Sequence, residues 1–206
     1  MSPQVEFSCV VLAGGKGRRL GRDKLWLELK GEHLLSRVVG TLSTLGSPVV
    51  VVLDREKPLP PLPPGVSTVT DLLPGRGSLG GLYTGLKLSG REFVLAVACD
   101  MPFLHPPLLR HLLTLAPGYD VVVPRLADGL EPLHAVYGRG CLGPMERLLA
   151  TESNRIFDFY PEVRVRYVEG EALDRLAPDR LSFFNINTPS DLEQAERLIA
   201  GGPGRA

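Results

Sequence analysis

Apolar residues recur along this chain in two alternating rhythms. Residues 7–12 form a short apolar run closed by Gly14 and Gly15, the pattern of a strand covered on both faces. Leu34, Leu35, Val38, Val39, Leu42 and Leu45 then keep a 3.6-residue period, which predicts a helix stopped at Gly46. The alternation repeats. "PVVVVLD" (48–54) reads as a second buried strand and "STVTD" (67–71) as a short third. Leu79, Leu82, Tyr83 and Leu86 predict a helix within 78–89, weakened by Gly80, Gly81 and Gly85. "EFVLAVACD" (92–100) is the strongest central strand, followed by a helix over 108–115 and a strand at 119–124. Past residue 125 the rhythm loosens. Residues 131–138 look extended, 144–150 helical, 163–168 alternate like a half-exposed strand, and 183–200 run a brief strand into a closing helix.

Strands and helices alternating at this spacing predict an α/β fold with three layers and a mainly parallel, open, Rossmann-like sheet. The proline-rich stretch 58–65 reads as a stiff surface connector rather than a ligand for a PxxP-binding domain, and no internal repeat is present. In open parallel sheets, ligands bind beyond the carboxyl ends of the strands, where strand order reverses. The glycine-rich loop after residue 12, Asp54, Asp71 and Asp100 all stand at such ends, so one crevice is expected to gather them.

Composition narrows the chemistry. The 206 residues suit one domain with a substantial core. Lys+Arg and Asp+Glu are both 23, so no global charge attracts nucleic acid or an acidic membrane, and any anion site must be local. Three widely spaced cysteines, Cys9, Cys99 and Cys141, lie in or beside apolar stretches and read as small buried hydrophobes rather than a disulfide or zinc framework. With no signal-like start and no run of transmembrane length, a cytoplasmic protein is expected. Asparagine occurs only at 154, 185 and 187, so each use calls for a reason.

"VVLAGGKGRRLGRDK" (10–24) concentrates glycine and positive charge behind the first strand. It is not a Walker loop, which needs GxxxxGK[ST], because Lys24 is followed by Leu25. It is not the dinucleotide fingerprint either, because Leu20 occupies the third glycine position. The physical design still suits phosphate. Glycine lets backbone N–H groups turn inward around an anion, Arg18 or Arg19 supplies forked donors, and Lys24 a compact charge.

That loop resembles the signature of GT-A-like nucleotidyltransferases, and its LAGG opening and Asp-Lys ending resemble the molybdenum cofactor guanylyltransferases. "GSLGGL" (77–82) is similar to the family's GPLGGL, "CDMPF" (99–103) to its CDxPF, and "EPLHAVY" (131–137) and "NINTPSDL" (185–192) to two further blocks. The resemblance spans nearly the whole chain. It implies a single nucleotidyltransferase domain over 1–206, with a nucleotide-binding half at about 6–124 and an acceptor-binding half at about 125–200. It implies transfer of GMP from GTP to the terminal phosphate of molybdopterin, with cofactor-delivery proteins as further partners.

Carried over by position, the resemblance puts nucleotide contacts at Leu12, Ala13, Gly14, Gly15, Lys24, Asp71, Gly80 and Asp100. It implies Mg²⁺ on Asp100, and catalytic roles for Arg19, Lys24 and Asp100. Ser78 departs from the family's proline, and Val52-Leu53-Asp54 from an asparagine after the second strand, where Asp54 is a substitute.

The residues themselves can be weighed independently. A carboxylate at the mouth of a buried strand, as Asp100 is, is costly unless a positive group meets it. Asn185 and Asn187 flank Ile186 and are expected to face one side, directing hydrogen bonds to substrate or metal-bound water. Thr188 to Asp191 reads as a capping box. His134 stands either near the acceptor or as a packed strand residue. Arg155 reads either as a phosphate or pterin contact or as a solvated helix residue. His33 and His111 read as surface positions, and Trp26 as a packing anchor. The rival activities are a cytidylyltransferase on the same acceptor, a sugar-1-phosphate nucleotidylyltransferase, and a non-catalytic nucleotide-binding adaptor.

Overall fold

A computed structural model describes residues 5–14 and 24–201. In chain order the elements are β1 (Phe7–Leu12), β2 (Glu28–Leu29), β3 (Glu32–His33), α1 (Leu34–Ser43), β4 (Val49–Leu53), β5 (Val66–Thr70), α2 (Gly77–Leu88) and β6 (Phe93–Ala98). There follow α3 (Pro106–Thr114), β7 (Val121–Leu126), β8 (Gly129–Leu130), β9 (His134–Gly138), α4 (Leu142–Leu149), β10 (Val165–Val168), α5 (Glu171–Leu176) and α6 (Pro189–Gly201).

The main sheet runs β10-β7-β9-β6-β1-β4-β5, with β8 paired to β7. β1 is parallel to both β4 and β6, β4 to β5, and β7 to β10. The exceptions are β9, which runs antiparallel to both β6 and β7, and the short β8, antiparallel to β7. The chain builds outward from β1 through β4 to β5, then returns to lay β6 on the other side of β1. That reversal makes the carboxyl ends of β1 and β6 the switch point of the sheet.

Successive strand residues point to opposite faces, and the core divides accordingly. Cys9, Val11, Val49, Val51, Leu95 and Val97 pack against α1, α3 and α5. Val10, Leu12, Val50, Val52, Val94 and Ala96 pack against α2 and α4. A smaller cluster of Leu27, Leu29, Leu34, Ile186 and Ala195 fastens α6 to the β2–β3 hairpin. The three cysteines are buried and unpaired, and burial pushes each thiol up to about 12. Among the described residues no helix is long and apolar enough to cross a membrane.

Two expectations need correction. Residues 183–188 form no strand. Leu181–Phe183 is a 3-10 turn, the Asn185 side-chain amide donates locally to the Phe183 carbonyl, and Ile186 N–H reaches the Asp100 carbonyl. One such bridge is too little pairing for a ladder. Trp26 is not a core anchor: it is 47% exposed and meets His33 edge to face at 5.5 Å. The periodicity also gave no signal for α5.

The glycines of α2 weaken the helix locally and are required globally. A Cβ on Gly85 would lie 2.5 Å from Val10 Cγ1, so only glycine lets α2 approach β1 this closely. Gly85→Ala is expected to lower stability by about 1–3 kcal/mol despite alanine's better helix propensity, because overpacking outweighs propensity. Gly143→Ala in α4 is the control. There the nearest atom is 3.6 Å away, at the flexible end of Arg147, and the change should be neutral or stabilising. Urea denaturation of the two variants checks the contrast.

Candidate active site

Strand-end hydrogen bonds position the site. Ala13 N–H donates to Val52 O, Asp71 N–H to Leu53 O, Cys99 N–H to Leu12 O and Ala98 N–H to Leu133 O. They align the ends of β1, β4, β5 and β6 with the start of β9. Because β9 is antiparallel, its beginning lies at the same rim as the other strands' ends. Above this rim opens a crevice of about 680 Å³, lined among others by Leu12, Gly14, Lys24, Asp54, Asp71 and Asp100. Glu131, Leu133, Asn185 and Asn187 close its far side. The volume lies within the roughly 300–1,000 Å³ usual for small-molecule and cofactor sites.

At its centre Lys24 Nζ donates to Asp100 Oδ2 at 2.5 Å and to Asn187 Oδ1 at 2.7 Å. Asp100, following β6, is only 8% exposed, so the ammonium supplies the countercharge that its burial requires. Its other oxygen, Oδ1, is buried and has no hydrogen-bond partner among the described residues. Asp191 accepts from the Asn187 and Thr188 N–H groups, and Thr188 Oγ1 accepts from Asp191 N–H. The expected capping box therefore forms, and it also holds Asn187 in place.

Asp71 sits across the crevice, at the end of β5. Its Oδ1 accepts from Leu73 N–H at 3.0 Å and from the Thr84 hydroxyl at 2.7 Å, which orients the carboxylate. Asp54 lines the same wall with Lys57 Nζ 3.2 Å away. Three strand steps separate β5 from β6, a lateral span of about 14 Å.

Several expected site residues lie elsewhere. Ala13 is buried against the α1 side of the sheet and is not among the residues lining the crevice. Gly80 does not line it either. A Cβ there would meet Leu73 O at 2.8 Å, so this glycine lets α2 pack against the preceding loop, while Gly75, Gly77, Ser78 and Gly81 reach the crevice. His134 is the packed strand residue: it is fully buried, its Nε2 lies 3.3 Å from Ser182 Oγ, and burial pushes its imidazole down to about 3. Arg155 is exposed, pairs with Asp158 at 3.3 Å and lies over the Phe157 ring, away from the crevice lining. Gly15 and Arg19 lie outside the described residues.

Glu131 was legible as part of "EPLHAVY" but not as a site residue. An acid just ahead of a strand start carries little signal until the strand's direction is known. In the fold it is half-buried in the crevice wall, and burial, with a smaller contribution from Asp128, pushes its carboxyl up to about 7.

A mostly parallel sheet flanked by helices, with a polar crevice holding Lys24 and Asp100 at its switch point, defines an α/β protein of the nucleotide-binding type. Comparison with known proteins makes the class specific. Residues 9–163 match the MobA-like NTP transferase domain, and the chain belongs to that family. It is 42% identical to the "Probable molybdenum cofactor guanylyltransferase" of Pelotomaculum thermopropionicum, covering 93% of this chain and 92% of that one. It is 38% identical to the molybdenum cofactor guanylyltransferase of Desulfosudis oleivorans, covering 94% and 96%. The crystal structure of molybdopterin-guanine dinucleotide biosynthesis protein A from Archaeoglobus fulgidus superposes with a TM-score of 0.81 at 30% identity, covering 95% of this chain and all of that one. The protein is thus a nucleotidyltransferase with a GT-A-like fold.

The raised Glu131 carboxyl has a consequence for stability. In the unfolded chain it releases its proton near its ordinary value of 4.5, in the native chain near 7. The native state binds more protons across that window, so stability falls as pH rises through it, by on the order of 2 kcal/mol. Urea titrations at several pH values should show the wild type losing stability relative to Glu131→Gln across the window. Parallel profiles would contradict the buried carboxyl.

Proposed function

We propose that this chain transfers GMP from GTP to the terminal phosphate of molybdopterin, releasing pyrophosphate and forming molybdopterin guanine dinucleotide in the cytoplasm. The observation carrying this reading is the Lys24–Asp100–Asn187 cluster at the sheet's switch point, in a chain so similar to proteins of that name. The half before residue 125 would hold the nucleotide and the half after it the acceptor. In this reading Asp71, oriented by Thr84, accepts the N1–H and 2-amino donors of guanine, a pattern that cytosine lacks.

The acceptor phosphate is an anion at neutral pH, so its oxygen attacks the α-phosphorus without a general base. The bond to the β-phosphate oxygen breaks, and pyrophosphate leaves with the electron pair. Catalysis then consists of holding two anions together and screening their charge. The backbone at Leu12 and Gly14 would border the phosphates, Lys24 offers its ammonium, and Asn187 fixes that ammonium beside the crevice. The resemblance assigns Arg19 a share of the same charge.

The unpartnered Oδ1 of Asp100 fits one bond to Mg²⁺, a cation satisfied by one or two carboxylates plus phosphate oxygens and water. Among the described residues no group of three or more His, Cys, Asp or Glu could hold a metal, and in this reading phosphate oxygens and water supply the remaining coordination. Bound there, Mg²⁺ would screen charge on the reacting phosphates.

Incubation with GTP, Mg²⁺ and molybdopterin should yield the dinucleotide by mass analysis, with pyrophosphate released in equal amount. Asp100→Asn should cut turnover by about a hundredfold or more while the chain stays folded. Wild-type turnover by that variant at limiting Mg²⁺ would refute the metal assignment. Asp71→Ala should weaken GTP binding far more than CTP binding, and equal weakening would remove Asp71 from base selection.

A further inference from the structure

The crevice carries four carboxylates, and three have protein partners. Asp100 is paired with Lys24, Asp54 with Lys57, and Asp71 accepts from Thr84 and Leu73. Glu131 is the exception: among the described residues its carboxylate has no hydrogen-bond or ion-pair partner. An unpaired acid in the wall of a site that takes phosphates repels its own substrates. Half-exposed, it is hydrated while the crevice is open, and a ligand that displaces that water must bring hydrogen-bond donors in its place.

The topology says which ligand. Across the rim the order is Asp71 after β5, Asp54 after β4, Leu12 to Gly14 at β1, Asp100 after β6, and Glu131 just before β9. Glu131 therefore stands beyond Asp100, on the side opposite Asp71. If the nucleotide spans Asp71 to Asp100, Glu131 faces the acceptor.

Its backbone is firmly held. Glu131 N–H donates to Pro124 O and its carbonyl accepts from His134 N–H, both at 3.0 Å, and Pro132 stiffens the next residue. Pro132, Leu133 and Met101 give this side of the crevice apolar surface on which a flat ring can rest. A pterin has the matching chemistry. Its pyrimidinone edge presents a ring N–H and a 2-amino group side by side, and one carboxylate accepts from both.

We propose that Glu131 is a specificity-determining residue for the acceptor, taking the aminopyrimidinone edge of the pterin through paired N–H···O bonds. This rests on the guanylyltransferase reading and adds to it the group that selects the acceptor. The crevice then holds one carboxylate for each of two chemically alike edges, Asp71 for guanine and Glu131 for pterin. The high proton affinity of Glu131 agrees with a carboxylate short of donors until its ligand arrives.

The test uses the full chain with GTP, Mg²⁺ and molybdopterin, and two competitors of the acceptor. One is 6-hydroxymethylpterin. The other is 6-hydroxymethyllumazine, in which an oxo group replaces the 2-amino donor. The wild type should be inhibited by the pterin about tenfold or more better than by the lumazine. Glutamine presents one acceptor and one donor, the complement of the lumazine edge. Glu131→Gln should therefore abolish or reverse the preference and raise the KM for molybdopterin about tenfold, with the KM for GTP unchanged. Equal inhibition of the wild type by both competitors overturns the proposal, as does a pterin preference retained in Glu131→Gln. In either case dinucleotide formation by the wild type leaves the guanylyltransferase reading standing. A wild type that forms no dinucleotide overturns that reading, and the Glu131 assignment with it.

Discussion

The contact between Lys24 and Asp100 joins residues 76 positions apart, and Asn187 joins the same ammonium from 163 positions away. An acid at the end of a buried strand and a lysine beside it are each costly alone, so each requires the other. The pairing fixes where the end of the glycine-rich segment sits, how β6 terminates, and where the chain must pass before α6. The bond from Ile186 N–H to the Asp100 carbonyl supports the same junction through the backbone. Because Asp100 Oδ2 is occupied while Oδ1 has no partner among the described residues, the Lys24–Asp100 pair is balanced in charge yet keeps an acceptor to offer.

The antiparallel placement of β9 determines what faces that junction. A sheet continued in parallel would put the start of this strand at the opposite rim. Reversal instead brings Glu131 to Leu133 alongside the ends of β1 and β6, where Ala98 N–H reaches Leu133 O. The crevice thereby gains a second wall of different origin. One side is built from the ends of parallel strands and the loop into α2, the other from a strand's beginning and the segment before α6. Two walls suit a reaction between two substrates better than one cleft between equivalent strands.

Close packing pins both walls. Gly85 lets α2 lie against Val10, and Gly80 lets the loop holding Asp71 fold over the helix start. The local cost of glycine in a helix is modest, whereas the clash avoided in a close-packed interior is larger. His134 serves the structure too, reaching Ser182 in the segment that leads to the two asparagines.

The one-dimensional pattern determined much of this protein. The buried strands and amphipathic helices were legible because burial on one or both faces leaves a period that needs no knowledge of the partner. Asp71 and Asp100 were legible because polar residues just after apolar strands must lie at the rim of a parallel sheet, and Lys24 because it ends the glycine-rich, cationic stretch behind the first strand. The capping box at Thr188 was legible because it is local. Tertiary structure alone decided the rest. The direction of β9 made Glu131 a wall residue and buried His134, and Arg155 found a neighbouring acid instead of the crevice. Asn185 and Asn187 reach the crevice from an irregular segment rather than a strand. These outcomes depend on which segments meet across long separations, and no periodicity within one segment records its partner.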